Sequence, residues 1–153
     1  MKILLIIIML LCVGCNKNNM NINYDKYLEE LNAVNESSQF IPCNIEITYD
    51  KITDEEVSYQ ITFDNAIENM KDIDIVLTHN IKTDDGYPSI GIYDIEPINL
   101  LKEPADNNTK GIILVGYFKY SRELDELNAE FKILINYKDD AGKEKTVYFI
   151  KTI

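Results

Sequence analysis

The sequence has no tryptophan, one histidine, one arginine and three cysteines in 153 residues. Histidine is the most frequent catalytic acid or base, and arginine is the usual planar clamp for phosphate and carboxylate groups. The sequence also has no glycine-rich phosphate loop, no Gly-x-Ser-x-Gly elbow and no His-x-x-x-His pair. These shortages argue against most enzymes. We therefore expect a protein that acts by binding and without catalysis, with a small envelope hydrolase as the less favoured alternative.

Basic residues are outnumbered along the whole chain. The sequence contains 26 acidic and 15 basic side chains, and its net charge is −11. Nucleic acids and anionic lipid surfaces carry the same sign of charge and repel such a chain. We therefore expect no nucleic-acid partner and no attachment to a membrane through a basic face.

A short apolar segment opens the chain. Lys2 supplies one positive charge, an unbroken apolar run extends from Ile3 to Val13, and Gly14 precedes Cys15. This order is typical of a secretory signal peptide. The run is shorter than the roughly 20 residues that a transmembrane helix needs. Residues 1–14 are therefore predicted to be a signal peptide.

The end of this segment, Leu11-Cys12-Val13-Gly14-Cys15, resembles the lipobox of bacterial lipoprotein precursors. The resemblance implies that Cys15 receives a diacylglycerol on its sulfur and becomes the first residue after cleavage. It also implies a location on the bacterial cell membrane, lipid-anchored and facing outside the cytoplasm, with the lipid as the sole membrane contact. Cys12 departs from the aliphatic residue that is usual in the family. The competing interpretation is an ordinary secretory signal.

Two cysteines remain after cleavage, Cys15 and Cys43. With Cys15 lipidated, no intramolecular disulfide can form and no pair of thiols is left for a zinc site. Cys43 heads an alternating apolar run, so we predict a small buried side chain there. His79 continues an apolar face at a strand end and is predicted to be packed there instead of catalytic.

The segment after Cys15 changes from polar to periodic. Residues 16–23 are polar without periodicity, which predicts a flexible tether. Five apolar residues then fall at helical spacing, namely Tyr24, Tyr27, Leu28, Leu31 and Val34. We predict a short amphipathic helix over Tyr24–Val34, capped by Asn23 and covering an edge or an end of the domain. Residues 15–40 together form the anchored tether and helix.

From Cys43 onward the apolar residues alternate with polar ones, which predicts strands. Seven such runs occur, over residues 43–49, 57–63, 73–79, 90–95, 112–120, 130–137 and 146–152. The fifth run is apolar on both faces and is predicted to be a central strand. The pattern over residues 41–153 resembles an immunoglobulin or fibronectin-type sandwich. The predicted fold class is all-β, an antiparallel immunoglobulin-like β-sandwich of about seven strands after a short N-terminal helix; the alternative is a small β-barrel.

Acidic residues concentrate in the loops after the first, third and fifth strands, which carry nine acidic and three basic side chains. In a sandwich of this type these loops lie at one end, and we expect that end to point away from the anchor. The candidate binding residues there are Asp54, Glu55, Asp84, Asp85, Tyr87 and Glu126. Carboxylates in flexible loops can bind calcium, and no other cofactor is expected. The partner is expected to be a protein or a glycan of the cell envelope, with a calcium-binding or protease-inhibitor-like sandwich as alternatives.

Overall fold

A computed structural model of the protein describes residues 17–83, 86–103 and 111–153, with side chains from Asn23 onward. In chain order the elements are α1 (Lys17–Ala33), β1 (Asn44–Thr53), β2 (Glu56–Asp64), β3 (Lys71–His79), β4 (Ser89–Ile90), β5 (Ile112–Lys119), a 3₁₀ turn (Leu124–Glu126), β6 (Glu130–Lys138) and β7 (Glu144–Thr152). Within the described ranges, no helix has the length and apolar character needed to cross a membrane. The predicted signal peptide and Cys15 lie outside the described residues.

The strands form two antiparallel sheets, in the orders β1-β2-β5 and β4-β3-β6-β7. This is the strand order of an immunoglobulin-like sandwich in which the fourth strand belongs to the second sheet. The predicted fold class is therefore confirmed. The described strands close into no barrel, so the alternative architecture is wrong.

The core lies between the two sheets and is built from alternate residues of each strand. In β2, four alternate residues are almost fully buried: Val57, Tyr59, Ile61 and Phe63. The facing sheet contributes the inward residues of β3 and β6, among them Ile75 and Phe131. Burial of this alternating set of large apolar side chains is the main stabilising contribution to such a fold.

Cys43 and His79 are both buried, as the sequence predicts. Burial raises the pKa of the Cys43 thiol to about 12. Because the thiolate is the reactive form of cysteine, this thiol has little reactivity at neutral pH.

Helix α1 begins earlier than the sequence predicts. Its backbone is helical from Lys17 to Ala33, so the prediction of a flexible tether over residues 16–23 is wrong for residues 17–23. Asn23 lies inside the helix and is not its N-terminal cap. The helix therefore begins two positions after Cys15.

Helix α1 packs on the outer face of the four-stranded sheet, which corrects the prediction that it covers an edge or an end. Its Leu31 is buried in a second apolar cluster with Val76 of β3, Leu134 of β6 and Ile92. These strand residues point away from the main core and need this cover. The helix thus closes one of the two outer faces of the sandwich.

Polar contacts fix the direction of α1 along this sheet. The Tyr27 hydroxyl donates to Asp74 Oδ2 at 3.2 Å and accepts from Asn136 Nδ2 at 3.1 Å. Just after the helix ends, the carbonyl of Val34 accepts from Lys132 Nζ at 2.6 Å. The helix therefore runs in the same direction as β3, and its N-terminus points toward the end of the sandwich where β3 begins.

Strand β4 is shorter than predicted. Ser89 and Ile90 pair with β3, and the chain then turns at Gly91, where φ is +88°. Asp94 Oδ2 accepts the N–H of Gly91 at 2.7 Å and closes the turn. Because a left-handed residue cannot continue a regular strand, the predicted strand over residues 90–95 is wrong from residue 91 onward.

Strand β5 is an edge strand, so the prediction of a central strand is wrong. Among the described strands it pairs with β2 alone. The segment before it returns to other parts of the fold: the N–H of Ile73 donates to the Ile98 carbonyl at 2.9 Å, and Leu100 pairs with Met70. Burial consequently alternates along β5.

Candidate functional site

The loops after β1, β3 and β5 meet at one end of the sandwich, as the strand pattern predicts. The N–H of Tyr120 donates to the carbonyl of Glu55 at 2.8 Å and joins the third loop to the first. Asn80 Oδ1 accepts the N–H of Glu130 at 2.9 Å. This second bond joins the loop after β3 to the end of the loop after β5.

Three of the acidic candidates lie at this end of the sandwich. Asp54 and Glu55 form the exposed turn between β1 and β2, and Glu126 is exposed at the end of the 3₁₀ turn. Asp84 and Asp85 lie outside the described residues. Within the described ranges, no three His, Cys, Asp or Glu side chains are placed to share a metal ion. Calcium binding at this end stays a prediction.

Tyr87 is held by contacts within the fold. Its ring lies edge-on to His79 with the ring centroids 5.1 Å apart, and its hydroxyl donates to the His79 carbonyl at 3.3 Å. Its own carbonyl accepts from the Tyr24 hydroxyl at 3.2 Å. Tyr87 therefore ties α1 to the loop after β3, which is a structural role for this candidate.

His79 is packed among aromatic rings, as the sequence predicts. The rings of Tyr59, Phe118 and Phe131 lie 5.3 to 5.5 Å from its ring centroid. Nδ1 lies 3.0 Å from the Ile81 carbonyl and is therefore the protonated nitrogen. Burial lowers the pKa of His79. The neutral ring closes the end of the core beneath the three loops.

A pocket of about 460 Å³ is lined in part by acidic side chains, which include Asp72, Asp74, Asp94 and Glu144. Asp72 is paired with Lys138 Nζ at 2.8 Å. Burial raises the pKa of Asp74, whose carboxylate accepts from the Tyr27 hydroxyl. Asp72 and Asp74 thus link neighbouring elements, whereas Asp94 closes the turn at Gly91, and we assign the pocket no ligand.

Among the described residues, no helix lies on the outer face of β1-β2-β5, and we call the outward residues of these three strands the open face. The register aligns three rows across the strands: Glu46-Thr62-Ile113, Thr48-Gln60-Val115 and Asp50-Ser58-Tyr117. The residues from β1 include two acids, those from β2 are uncharged and polar, and those from β5 are apolar. The face therefore changes from acidic to apolar toward the free side of β5.

The three β5 residues of the open face form an apolar row on an edge strand. Ile113, Val115 and Tyr117 are exposed to 55%, 46% and 46%. The eight-residue strand pairs with β2 without a bulge and contains no proline. A long, regular apolar edge of this kind is a template for pairing with another chain. We call the free side of β5 the open edge.

The other described sheet edges each have a feature that hinders pairing with another chain. Strand β4 has only two residues. Strand β7 is covered by the segment after α1, since the N–H of Ser38 donates to the Tyr148 carbonyl at 2.8 Å and Ser37 Oγ accepts the N–H of Ile150 at 2.8 Å. Strand β1 carries a register shift between Lys51 and Thr53, as well as outward acids. The open edge differs from all three.

Comparisons with known proteins assign no function to this surface. No family model and no curated protein matches the sequence. One solved structure, the sporulation control protein Spo0M from Bacillus subtilis, aligns with 12% identity and a TM-score of 0.20, over 74% of this chain and 49% of that one. The chain thus spans about half the length of that protein, and a likeness at this level carries no argument.

Sequence reasoning missed the open face because it treated β5 as buried on both sides. One signal does separate the two faces of this strand. Gly116 faces inward, and a Cβ built on it would lie 2.2 Å from the Tyr59 hydroxyl. A glycine between large residues on the inward face indicates that this face is already filled by a neighbour, whereas the opposite face carries only Ile113, Val115 and Tyr117.

Proposed function

We propose that this chain is a lipid-anchored, extracytoplasmic binding module that contacts a protein through the open face and open edge and performs no catalysis. The observation that supports the proposal most is the apolar row on β5, an edge strand whose second side pairs with none of the described strands. The free backbone groups of such a strand can pair with a strand of a partner, and the alternate side chains supply specificity.

The composition of the row supports a protein contact. The chain carries a net charge of −11, yet Ile113, Val115 and Tyr117 are all uncharged. The cores of protein interfaces are depleted of charged side chains and enriched in tyrosine and other aromatic residues. The row therefore has the character of an interface core on an otherwise acidic chain.

The lipobox resemblance at Cys15 supports the anchored location. Two or more acyl chains give stable membrane attachment, whereas one chain gives only marginal binding. Because α1 begins at Lys17 and packs on the sheet from Tyr24 onward, about two helical turns separate the expected lipid from the packed part of the helix. The domain would therefore be held within a short distance of the membrane.

Photo-crosslinking tests the proposed contact. A benzophenone amino acid is placed at Tyr117 of the full chain in its own cells, and a matched variant carries it at Phe40. These aromatic residues are exposed to 46% and 49%, but Phe40 precedes β1 and is not on the open face. We expect irradiation to yield a protein adduct from position 117 in clear excess over position 40.

The comparison of the two positions decides the proposal. Adducts of equal yield at positions 117 and 40 would contradict the proposal, because they would show contact without preference for the open face. No adduct from position 117, with the variant present in the membrane at the normal amount, would also contradict the proposal.

A further inference from the structure

We infer that the partner at the open edge is a second copy of this chain, which adds its own β5 antiparallel to the first. The inference rests on the proposed function, because it names the partner of the same surface. Two such copies would form one continuous sheet of six strands. Its strand order would be β1-β2-β5 followed by β5-β2-β1 of the second copy.

The side chains of β5 complement themselves in one register. A two-fold axis perpendicular to the sheet pairs outward residues with outward residues, and centring it on Val115 places Val115 opposite its own copy. Ile113 then lies opposite Tyr117, which is an aromatic and β-branched pair of the kind that stabilises antiparallel strands. Lys119 lies opposite Gly111, so no like charges meet.

The same operation at the β1 edge would be unfavourable. A two-fold axis centred on Thr48 would place Glu46 opposite Asp50 of the other copy, and like charges directly opposite destabilise a strand pair. At the open edge, by contrast, the β1 strands of the two copies are five strand spacings apart, or about 24 Å. Their acids are then separated by well over the Debye length of about 8 Å at physiological salt.

This arrangement is compatible with anchoring of both copies in one membrane. Because the axis is perpendicular to the sheet, both α1 helices lie on the same side of the assembly, and α1 leads to Cys15. Tyr93 lies beside the same helix, with its ring 5.9 Å from that of Tyr24, and is exposed to 49%. The two α1 N-termini point in opposite directions in this assembly, so the strands would run along the membrane. The acidic loops would then lie at the sides of the assembly, and not at an end that points away from the anchor as the sequence predicts.

The contact is small, so its stability depends on confinement. The surface area buried by one pair of eight-residue strands is smaller than the roughly 1,200–2,000 Å² that stable interfaces bury. Two copies held in one membrane gain a high effective concentration without any new contact. We therefore expect dimers in membranes and monomers in dilute detergent.

Cysteine crosslinking tests the pairing directly. The full chain with Val115→Cys is oxidised in membranes of its own cells, beside the parent chain and a Gln60→Cys control. Gln60 is the exposed neighbour of Val115 on β2, and in the six-stranded sheet it lies three strand spacings, about 14 Å, from its copy. We expect at least about tenfold more disulfide-linked dimer from Val115→Cys than from either control, as the confinement in the membrane favours the pair.

Two further variants test the register and guard against misfolding. Ile113→Cys and Tyr117→Cys, each alone, place the introduced thiols four residues apart along the strands, or about 14 Å. Neither should form a dimer alone, whereas co-expression of the two should form one. A melting temperature close to that of the parent chain shows that each variant is folded.

The outcomes separate this inference from the proposed function. A Val115→Cys dimer together with the expected register pattern supports the second copy. A disulfide with a different protein would overturn the second copy while leaving the proposed function intact. No disulfide-linked dimer from any β5 position in folded, membrane-bound chains would overturn the second copy, and photo-crosslinking at position 117 would then still decide the proposed function.

Discussion

Replacing Cys15 with alanine is expected to abolish the labelling of this protein by a fatty acid. Cys15 is the residue on which the lipobox resemblance places the diacylglycerol, and Cys43 is buried with the pKa of its thiol raised to about 12. The precursor should also keep residues 1–14, because the lipobox resemblance places cleavage directly before Cys15. Incorporation of a radiolabelled fatty acid and the mass of the purified chain measure the two effects.

Cys12→Ala is the matched control for this experiment. Cys12 lies in the same segment, but Leu11 before it is not a small residue, so Cys12 is not expected to be an alternative lipidation site. The control should be labelled and cut like the parent chain. Equal labelling of Cys15→Ala and the parent would contradict the anchoring at Cys15.

Gly116→Ala is expected to cause a large loss of stability. The added Cβ would lie 2.2 Å from the Tyr59 hydroxyl and 2.3 Å from Tyr59 Cζ. The Tyr59 ring cannot retreat, because it is 1% exposed and lies between His79, Phe118 and Phe131. Overpacking of this kind costs about 3 kcal/mol, a large share of the roughly 5–15 kcal/mol that stabilises a native domain.

The melting temperature of the full chain measures this loss. Gly86→Ala is the control, since a Cβ at Gly86 meets nothing within 4 Å, and exposed substitutions of this kind change stability by less than about 0.5 kcal/mol. We expect the melting temperature of Gly116→Ala to fall by roughly 10 °C relative to Gly86→Ala. Equal melting temperatures would mean that the inward face of β5 does not pack on Tyr59 as described.

The alternation of apolar residues predicts the sandwich well. A period of two places Tyr59, Phe63 and Phe131 on inward faces regardless of which strands become neighbours. The turn between β6 and β7 is also determined by residues that are close in the chain. Gly142 has a φ of +76°, and its N–H donates to the Asp139 carbonyl at 2.9 Å. Features of this kind depend on residues that are close in the chain.

The open edge could not be predicted in the same way, because it depends on distant residues. Ile113, Val115 and Tyr117 are apolar enough for a central strand. They are exposed because Leu100 pairs with Met70 and the described part of the preceding segment adds no strand beside β5. The helical backbone over residues 17–23 was missed for a related reason, since asparagine has a low helix propensity and the apolar positions that pack on the sheet begin only at Tyr24.

We expect the β5 row of Ile113, Val115 and Tyr117 to be contacted by a protein when the chain is at a membrane. Hydroxyl-radical footprinting measures this directly, with oxidation of Tyr117 compared with that of Phe40 in the same sample. We expect the ratio of Tyr117 to Phe40 oxidation to be several-fold lower in intact membranes than after dilution into detergent, where a weak contact dissociates. The same ratio in both samples would contradict a protein contact at the β5 row.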